Sequence, residues 1–300
     1  MPELKLDRIT KQFKNKIAVD NVSLNLHEGV YGFLGANGAG KTTLLRMICG
    51  VLKPTFGEIR CNGIEIGRLD GDYRYLLGYL PQDFGYYPDF TAKRYLEYLA
   101  ACKAVPKDLV KEKVQEMLRL TDLTGSQKNK IKTFSGGMLR RLGIAQALLN
   151  DPEILIMDEP TSGLDPKERI RFRNMISSLS KGRIILLSTH IVSDVEFIAD
   201  EILIMKQGRI IEHGTVAEVT NSVNGKVWEY LAEPAKALQM NEAFPVSNLK
   251  NEGEKVRLRL VSDSCPIEGA SMASPGLEDV YLYHFEEVSE HVDHVERRTL

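Results

Sequence analysis

The chain has 300 residues, 43% of them apolar, enough for one substantial α/β core and a smaller appendage. Its 39 basic and 41 acidic residues leave a net charge of −2, which excludes the electrostatic footprint of a nucleic-acid binder. No run approaches the ~18 apolar residues that span a bilayer, and Lys5, Asp7, Arg8, Lys11 and Lys14 exclude a signal peptide, so a cytosolic chain is expected.

In chain order, alternating Leu4 and Leu6, then Val22, Leu24 and Leu26, predict an antiparallel β subdomain, joined by a hairpin around residues 58–63. The apolar run 30–34 predicts a buried strand. It leads into Gly35-Ala36-Asn37-Gly38-Ala39-Gly40-Lys41-Thr42-Thr43, a complete G-x-x-x-x-G-K-[ST] phosphate loop. The glycines at 35, 38 and 40 are expected to let the backbone wrap a polyphosphate with its N–H groups inward, and Lys41 adds a mobile cation. A helix starting near Thr42 offers free amides and a positive dipole end to the same anion, and the Thr42 hydroxyl is placed for Mg²⁺. A strand before and a helix after set this apart from a glycine-rich turn.

Residues 77–80 predict another strand, followed by Gln82 and an unusually aromatic stretch: Phe84, Tyr86, Tyr87, Phe90, Tyr95 and Tyr98. Thr91 caps a helix, and Leu96, Leu99, Val110, Val114, Met117 and Leu118 recur at helical spacing, so residues from about 86 to 150 form an inserted helical arm. The run 154–157 does not alternate, as expected of a strand buried on both faces, and it ends in Asp158-Glu159. Ligands of open α/β sheets bind at that carboxyl edge, where Asp158 can reach Mg²⁺ through a water and Glu159 can act as general base. Taken alone, the two acids read equally as a surface pair opening a loop. Cys49, Cys61, Cys102 and Cys265 lack C-x-x-C spacing, so free buried thiols are expected rather than metal ligands or disulfides.

Phe134-Ser135-Gly136-Gly137-Met138, followed by a helical pattern over 139–149, resembles the signature motif of the ATP-binding cassette (ABC) family. With the phosphate loop and acidic strand in order, residues 1 to about 220 resemble the nucleotide-binding subunit of an ABC transporter. Gln82 resembles the Q-loop, Ser162-Gly163-Leu164-Asp165 the D-loop, His190 after the run 184–189 the H-loop, and Phe13 the aromatic that stacks on adenine. Phe134 and Met138 depart from the commoner Leu and Gln, while Ser135, Gly136 and Gly137 are retained. The resemblance implies an α/β P-loop cassette with a mostly parallel core sheet, an N-terminal antiparallel β subdomain and an inserted helical subdomain. It also implies hydrolysis of ATP to ADP and phosphate, with Mg²⁺ held by Thr42, Gln82 and Asp158 and water activated by Glu159. Gln82 would sense the metal and the attacking water, His190 would contact the γ-phosphate, and Asp165 would report between sites.

Two subunits would pack head to tail, each ATP lying between one phosphate loop, with Gly35, Asn37, Gly38, Ala39, Gly40, Lys41, Thr42 and Thr43, and the other's Ser135, Gly136 and Gly137. A separate membrane permease would dock on the aromatic surface after Gln82, holding the subunit at the cytoplasmic face of the membrane; no nucleic-acid partner is implied. A soluble ABC-type ATPase of translation or DNA repair is the rival. One cassette, no coiled-coil or zinc insertion and the near-neutral charge speak against it. A small-molecule kinase would have no use for the signature.

Beyond the core, residues 202–205 and 209–211 predict a hairpin centred on Gly208, and Gly214-Thr215 opens a capped short helix. Residues 221–300 carry no chemical motif. Strands at 226–230 and 256–260 and a helix at 276–282 predict a small α/β accessory domain, with a charged, mobile tail from about Glu287. The G-L-E-D-V-Y-L stretch resembles subunits serving drug, peptide and ion exporters, although a packing or dimer-support role fits it equally.

Overall fold

The computed structural model describes residues 1–285; the tail expected from Glu287 lies outside them. By internal packing the chain divides into two compact units, Met1–Ile211 and Glu212–Leu300.

The first unit opens with β1 (Leu4–Phe13), β2 (Lys16–Leu26) and β3 (Gly29–Leu34), then α1 (Lys41–Ile48). The strands β4 (Phe56–Cys61) and β5 (Ile64–Glu65) follow, with the short helices α2 (Ile66–Leu69) and α3 (Gly71–Leu76) and strand β6 (Leu77–Leu80). β2, β1, β4 and β5 form an antiparallel sheet in that order, as the alternating leucines predicted. Leu4, Leu6, Leu24 and Leu26 are buried on its inner face. The helical arm is α4 (Ala92–Cys102), α5 (Val110–Leu120) and α6 (Gly136–Leu148). Thr91 caps α4, accepting from the Arg94 amide at 3.2 Å.

Next come β7 (Ile154–Asp158), α7 (Pro166–Leu179), β8 (Ile184–Thr189), α8 (Val192–Val195), β9 (Glu201–Lys206) and β10 (Arg209–Thr215). The central sheet has the order β10-β9-β3-β8-β7-β6, and β9, β3, β8, β7 and β6 run parallel. Burial on both faces explains their unbroken apolar runs: every residue of β7 and β8 is buried. The Leu and Ile side chains of α1 fill the space between this sheet and the antiparallel one, in a core that includes Leu6, Phe33, Leu45, Ile48 and Ile156. Each such side chain contributes about 1.5–3 kcal/mol of burial free energy. The predicted Gly208 hairpin joins β9 to β10, with Gln207 and Gly208 both at positive φ.

In the second unit, α9 (Val216–Asn221) starts in a capping box between Thr215 and Glu218. It is followed by β11 (Val227–Ala232), α10 (Pro234–Ala243), β12 (Val246–Glu252), β13 (Lys255–Val261), β14 (Ser271–Met272) and α11 (Leu277–Phe285). An antiparallel sheet, β12-β13-β11-β14, buries Val256, Leu258 and Leu260 against Ala237 and Met240 of α10. Arg257 and Arg259 alternate onto the opposite face, where Arg259 pairs at 2.7 Å with Asp279 of α11. Burial pushes the Asp279 carboxyl up, but hydrogen bonds from Arg259, Ser247 and the Gly276 amide outweigh it and hold the pKa below the usual range.

All four cysteines are free. Only Cys49 and Cys61 are buried, however; Cys102 and Cys265 are exposed, which corrects the expectation of four buried thiols. Each exposed one lies beyond the apolar pattern of its element, at the end of α4 and in the loop after β13.

Candidate active site

Because β3, β6, β7 and β8 run parallel, the segments that follow them all emerge at one edge of the sheet. These are the phosphate loop after β3, Gln82 after β6, Glu159 after β7 and His190 after β8. Register completes the alignment, with Leu34 beside Thr189 and Asp158 beside Ser188.

An open cleft of about 570 Å³ lies there. Asn37, Gly38, Ala39, Gly40, Lys41, Thr42 and Thr43 form one wall, and Gln82, Asp158, Glu159 and His190 another. Phe13 stands at the rim, 46% exposed, with the Lys11 ammonium 5.2 Å from its ring centre. Lys16, which no motif had signalled, also lines the cleft, as does Ser162 of the D-loop-like stretch, for which only Asp165 had been given a role.

Two of the three loop glycines answer to the protein rather than to a ligand. A Cβ at Gly40, whose φ is 110°, would stand 2.3 Å from the Ala18 carbonyl oxygen, and one at Gly35 would stand 2.5 Å from that of Met205. Gly38, at φ 82°, has open space above it and is the one whose missing Cβ leaves room in the cleft. Gly35 itself does not line the cleft. Its carbonyl accepts from Lys41 Nζ at 2.5 Å, with Ala36 O at 3.3 Å. Burial lowers the Lys41 pKa, while Glu159 and Asp158 oppose the shift. A desolvated ammonium resting on carbonyl dipoles gains by meeting an anion.

Asp158 is 1% exposed. Its Oδ1 accepts from Ser188 Oγ at 2.5 Å, whereas Oδ2 is buried with no hydrogen-bond partner. A buried carboxylate oxygen without a partner is costly. A hard cation satisfies it, and the Thr42 hydroxyl and Gln82 amide facing the same cleft supply oxygens of the kind Mg²⁺ takes, so the donor set fits that ion.

Glu159 has φ 52°, a left-handed conformation that costs a non-glycine residue roughly 1–3 kcal/mol. It is held from both sides. Its N–H donates to Ser188 O at 3.1 Å and Oγ at 3.2 Å, and its carbonyl accepts from Arg140 Nη2. The side chain turns to the cleft, where Oε2 lies 2.9 Å from His190 Nδ1. Arg140 and Ser188 were missed as supports. Ser188 was signalled by a hydroxyl residue in an otherwise apolar run, and Arg140 by a charge on the buried face of a helix.

Ser135, Gly136, Gly137 and Asp165 do not line the cleft. Ser135 caps α6, accepting from the Met138 amide at 3.3 Å, and is exposed together with Gly136. Asp165 caps α7, accepting from the Glu168 amide at 2.9 Å. Of the six predicted aromatics, Tyr95 belongs to the interior of the arm, 3% exposed with its hydroxyl donating to Gly85 O. Tyr86, Tyr87 and Tyr98 are exposed, the last two meeting edge to face at 5.6 Å.

Residues 19–162 match the ABC transporter family. The chain is 35% identical over 294 residues to the ABC transporter ATP-binding protein YxlF of Bacillus subtilis, covering 93% of this chain and 98% of that protein. It is 33% identical to the Nod factor export ATP-binding protein I of Ralstonia nicotianae, over 84% of this chain and 80% of that one. Among solved structures it resembles the ATP-binding cassette MJ0796, a dimer in a post-hydrolysis state bound to ADP and Pi, at TM-score 0.66 and 28% identity, with coverage of 71% and 98%. A chain that aligns with YxlF almost end to end, and folds as MJ0796 does around a phosphate loop, belongs to the ABC transporter family as an ATP-binding subunit that hydrolyses ATP.

Proposed function

We propose that two copies of this chain close head to tail around two ATP molecules, with Mg²⁺, and thereby drive a separate membrane permease in export. The carrying observation is the split of the motifs. The phosphate loop, Glu159 and His190 share one cleft, whereas Ser135 and Gly136 stand exposed outside it, at the N-terminal tip of a 13-residue helix. A helix N-terminus of that kind suits a γ-phosphate held by another protomer. The dimeric state of MJ0796 and the export named for the Ralstonia relative support the same reading.

In this mechanism Phe13 stacks on adenine and Lys41 Nζ leaves Gly35 O for the β and γ phosphates. Glu159, oriented by His190 Nδ1, takes a proton from the attacking water as it forms a bond to the γ-phosphorus, and the bond to the β-γ bridging oxygen breaks. The other nitrogen of His190 faces the γ-phosphate, and Gln82, on the same wall of the cleft, senses the metal and the attacking water. Asp165, at the head of α7, reports the state of one site to the other. Bound Mg²⁺, held by Thr42, Asp158 and Gln82, would neutralise charge on the β and γ phosphates. Residues 1–220 act as the cassette and 221–300 as an accessory domain. No helix among the described residues is long and apolar enough to cross a membrane; the permease carries the crossing, and the subunit works peripherally at the cytoplasmic face.

Cross-linking tests this arrangement. With Cys102 and Cys265 replaced by Ser, and Glu159→Gln blocking turnover, Ser135→Cys and Gly38→Cys should join two protomers on oxidation only when ATP is present. A protein that stays monomeric on denaturing gels with ATP bound contradicts it.

A further inference from the structure

Arg140 lies on α6 five residues after Ser135, about 7.5 Å along the helix axis. The residue is 8% exposed, and its guanidinium hydrogen bonds go to backbone carbonyls. Nη1 donates to Gln82 O at 2.9 Å and Pro81 O at 3.5 Å, and Nη2 donates to Glu159 O. One planar fork therefore clamps two segments of the cleft that are 77 residues apart in sequence, Gln82 and Glu159. Arg141, the next residue, pairs instead with Glu168 at 3.3 Å and Asp122 at 3.4 Å, and makes no contact of this kind to the cleft segments. Burial lowers the Arg140 pKa, opposed by Asp83, Glu159 and Asp158, which is the cost of keeping this cation inside.

We propose that Arg140 is a positioning residue that couples the two nucleotide sites. It transmits the seating of Ser135 on the partner's triphosphate to the backbone of Gln82 and Glu159 in its own cleft. The inference rests on the head-to-tail reading above. Its physical core is the left-handed backbone of Glu159: Ser188 holds the N–H from the sheet, and Arg140 holds the carbonyl from the helix that carries the signature. A shift of α6 on closure then moves the carboxylate that must meet water, whereas the sheet stays fixed.

The test is Arg140→Lys in the full chain, assayed for ATP hydrolysis with Mg²⁺. Lysine keeps the charge, but one ammonium cannot clamp both segments as the fork does. A melting temperature near wild type, a KM for ATP within about threefold and a kcat reduced roughly tenfold are expected, with the Hill coefficient falling from about 2, its ceiling for two sites, toward 1. Loss of fold alone would not single out cooperativity. A folded variant with wild-type cooperativity overturns the proposal; should the lysine protein not fold, Arg140→Gln, a shorter neutral donor, is judged by the same criterion. A wild-type Hill coefficient of 1 overturns the two-site reading together with this one, so the two failures are distinguishable.

Discussion

Glu159 combines three properties that rarely meet: a carboxylate mostly buried, a left-handed backbone and a histidine at 2.9 Å. Glu159→Gln keeps the shape and the contact to His190 but cannot accept a proton. We expect ATP binding to be retained and turnover to fall by roughly two to four orders of magnitude, measured as phosphate release at saturating ATP. Near-normal turnover would remove Glu159 from the role of base. The identity of this residue was readable from an apolar run ending in two acids. Its backbone conformation was not, because Ser188 and Arg140, which hold it, come from segments 29 and 19 residues away. The orphaned Asp158 Oδ2 is likewise visible only when the register of β7 against β8 gives Oδ1 to Ser188.

Among the elements, the helical arm is tied to the sheet through a polar contact at its base. Lys103, the C-cap of α4, donates to Asn150 Oδ1 at 2.8 Å, and Asn150 donates in turn to Tyr75 O of α3 at 2.5 Å and to Leu77 O of β6 at 3.4 Å. Burial lowers the lysine pKa from 10.5 to about 8. Between those values the unfolded chain binds more protons than the folded one, so stability rises with pH through that window, and below about 8 the full desolvation cost remains. The melting temperature of wild type relative to Lys103→Met should therefore climb from pH 7 to 10; a difference independent of pH would return the amine to its ordinary range. Element types were largely legible where periodicity was strong, as in α5 with Val114, Met117 and Leu118 buried. Helix α10 and strand β12 escaped notice because each buries little: α10 only Ala237 and Met240, and β12 no residue fully.

For the molecule as a whole, the exposed rings of Tyr86 and Tyr87 beside the Gln82 segment are the surface proposed to receive the permease. Tyr86→Ala with Tyr87→Ala should lower transport by at least about tenfold in vesicles holding both subunits, the worth of a lost aromatic anchor, while ATP hydrolysis by the isolated subunit stays at wild-type levels. Unchanged transport would count against docking there. The candidate chemistry and the order of the parts were legible along the chain: a glycine loop before a lysine, two acids after an apolar run and a serine-glycine helix tip are local patterns, dictated by residue type and spacing over a few turns. Which parts share a cleft, the close approach of neighbouring backbone to Gly35 and Gly40, and the reach of Arg140 to Gln82 and Glu159 together emerge from the folded chain alone. Those facts depend on strand order and register, and the pairing energy that sets them is spread over residues far apart in the chain.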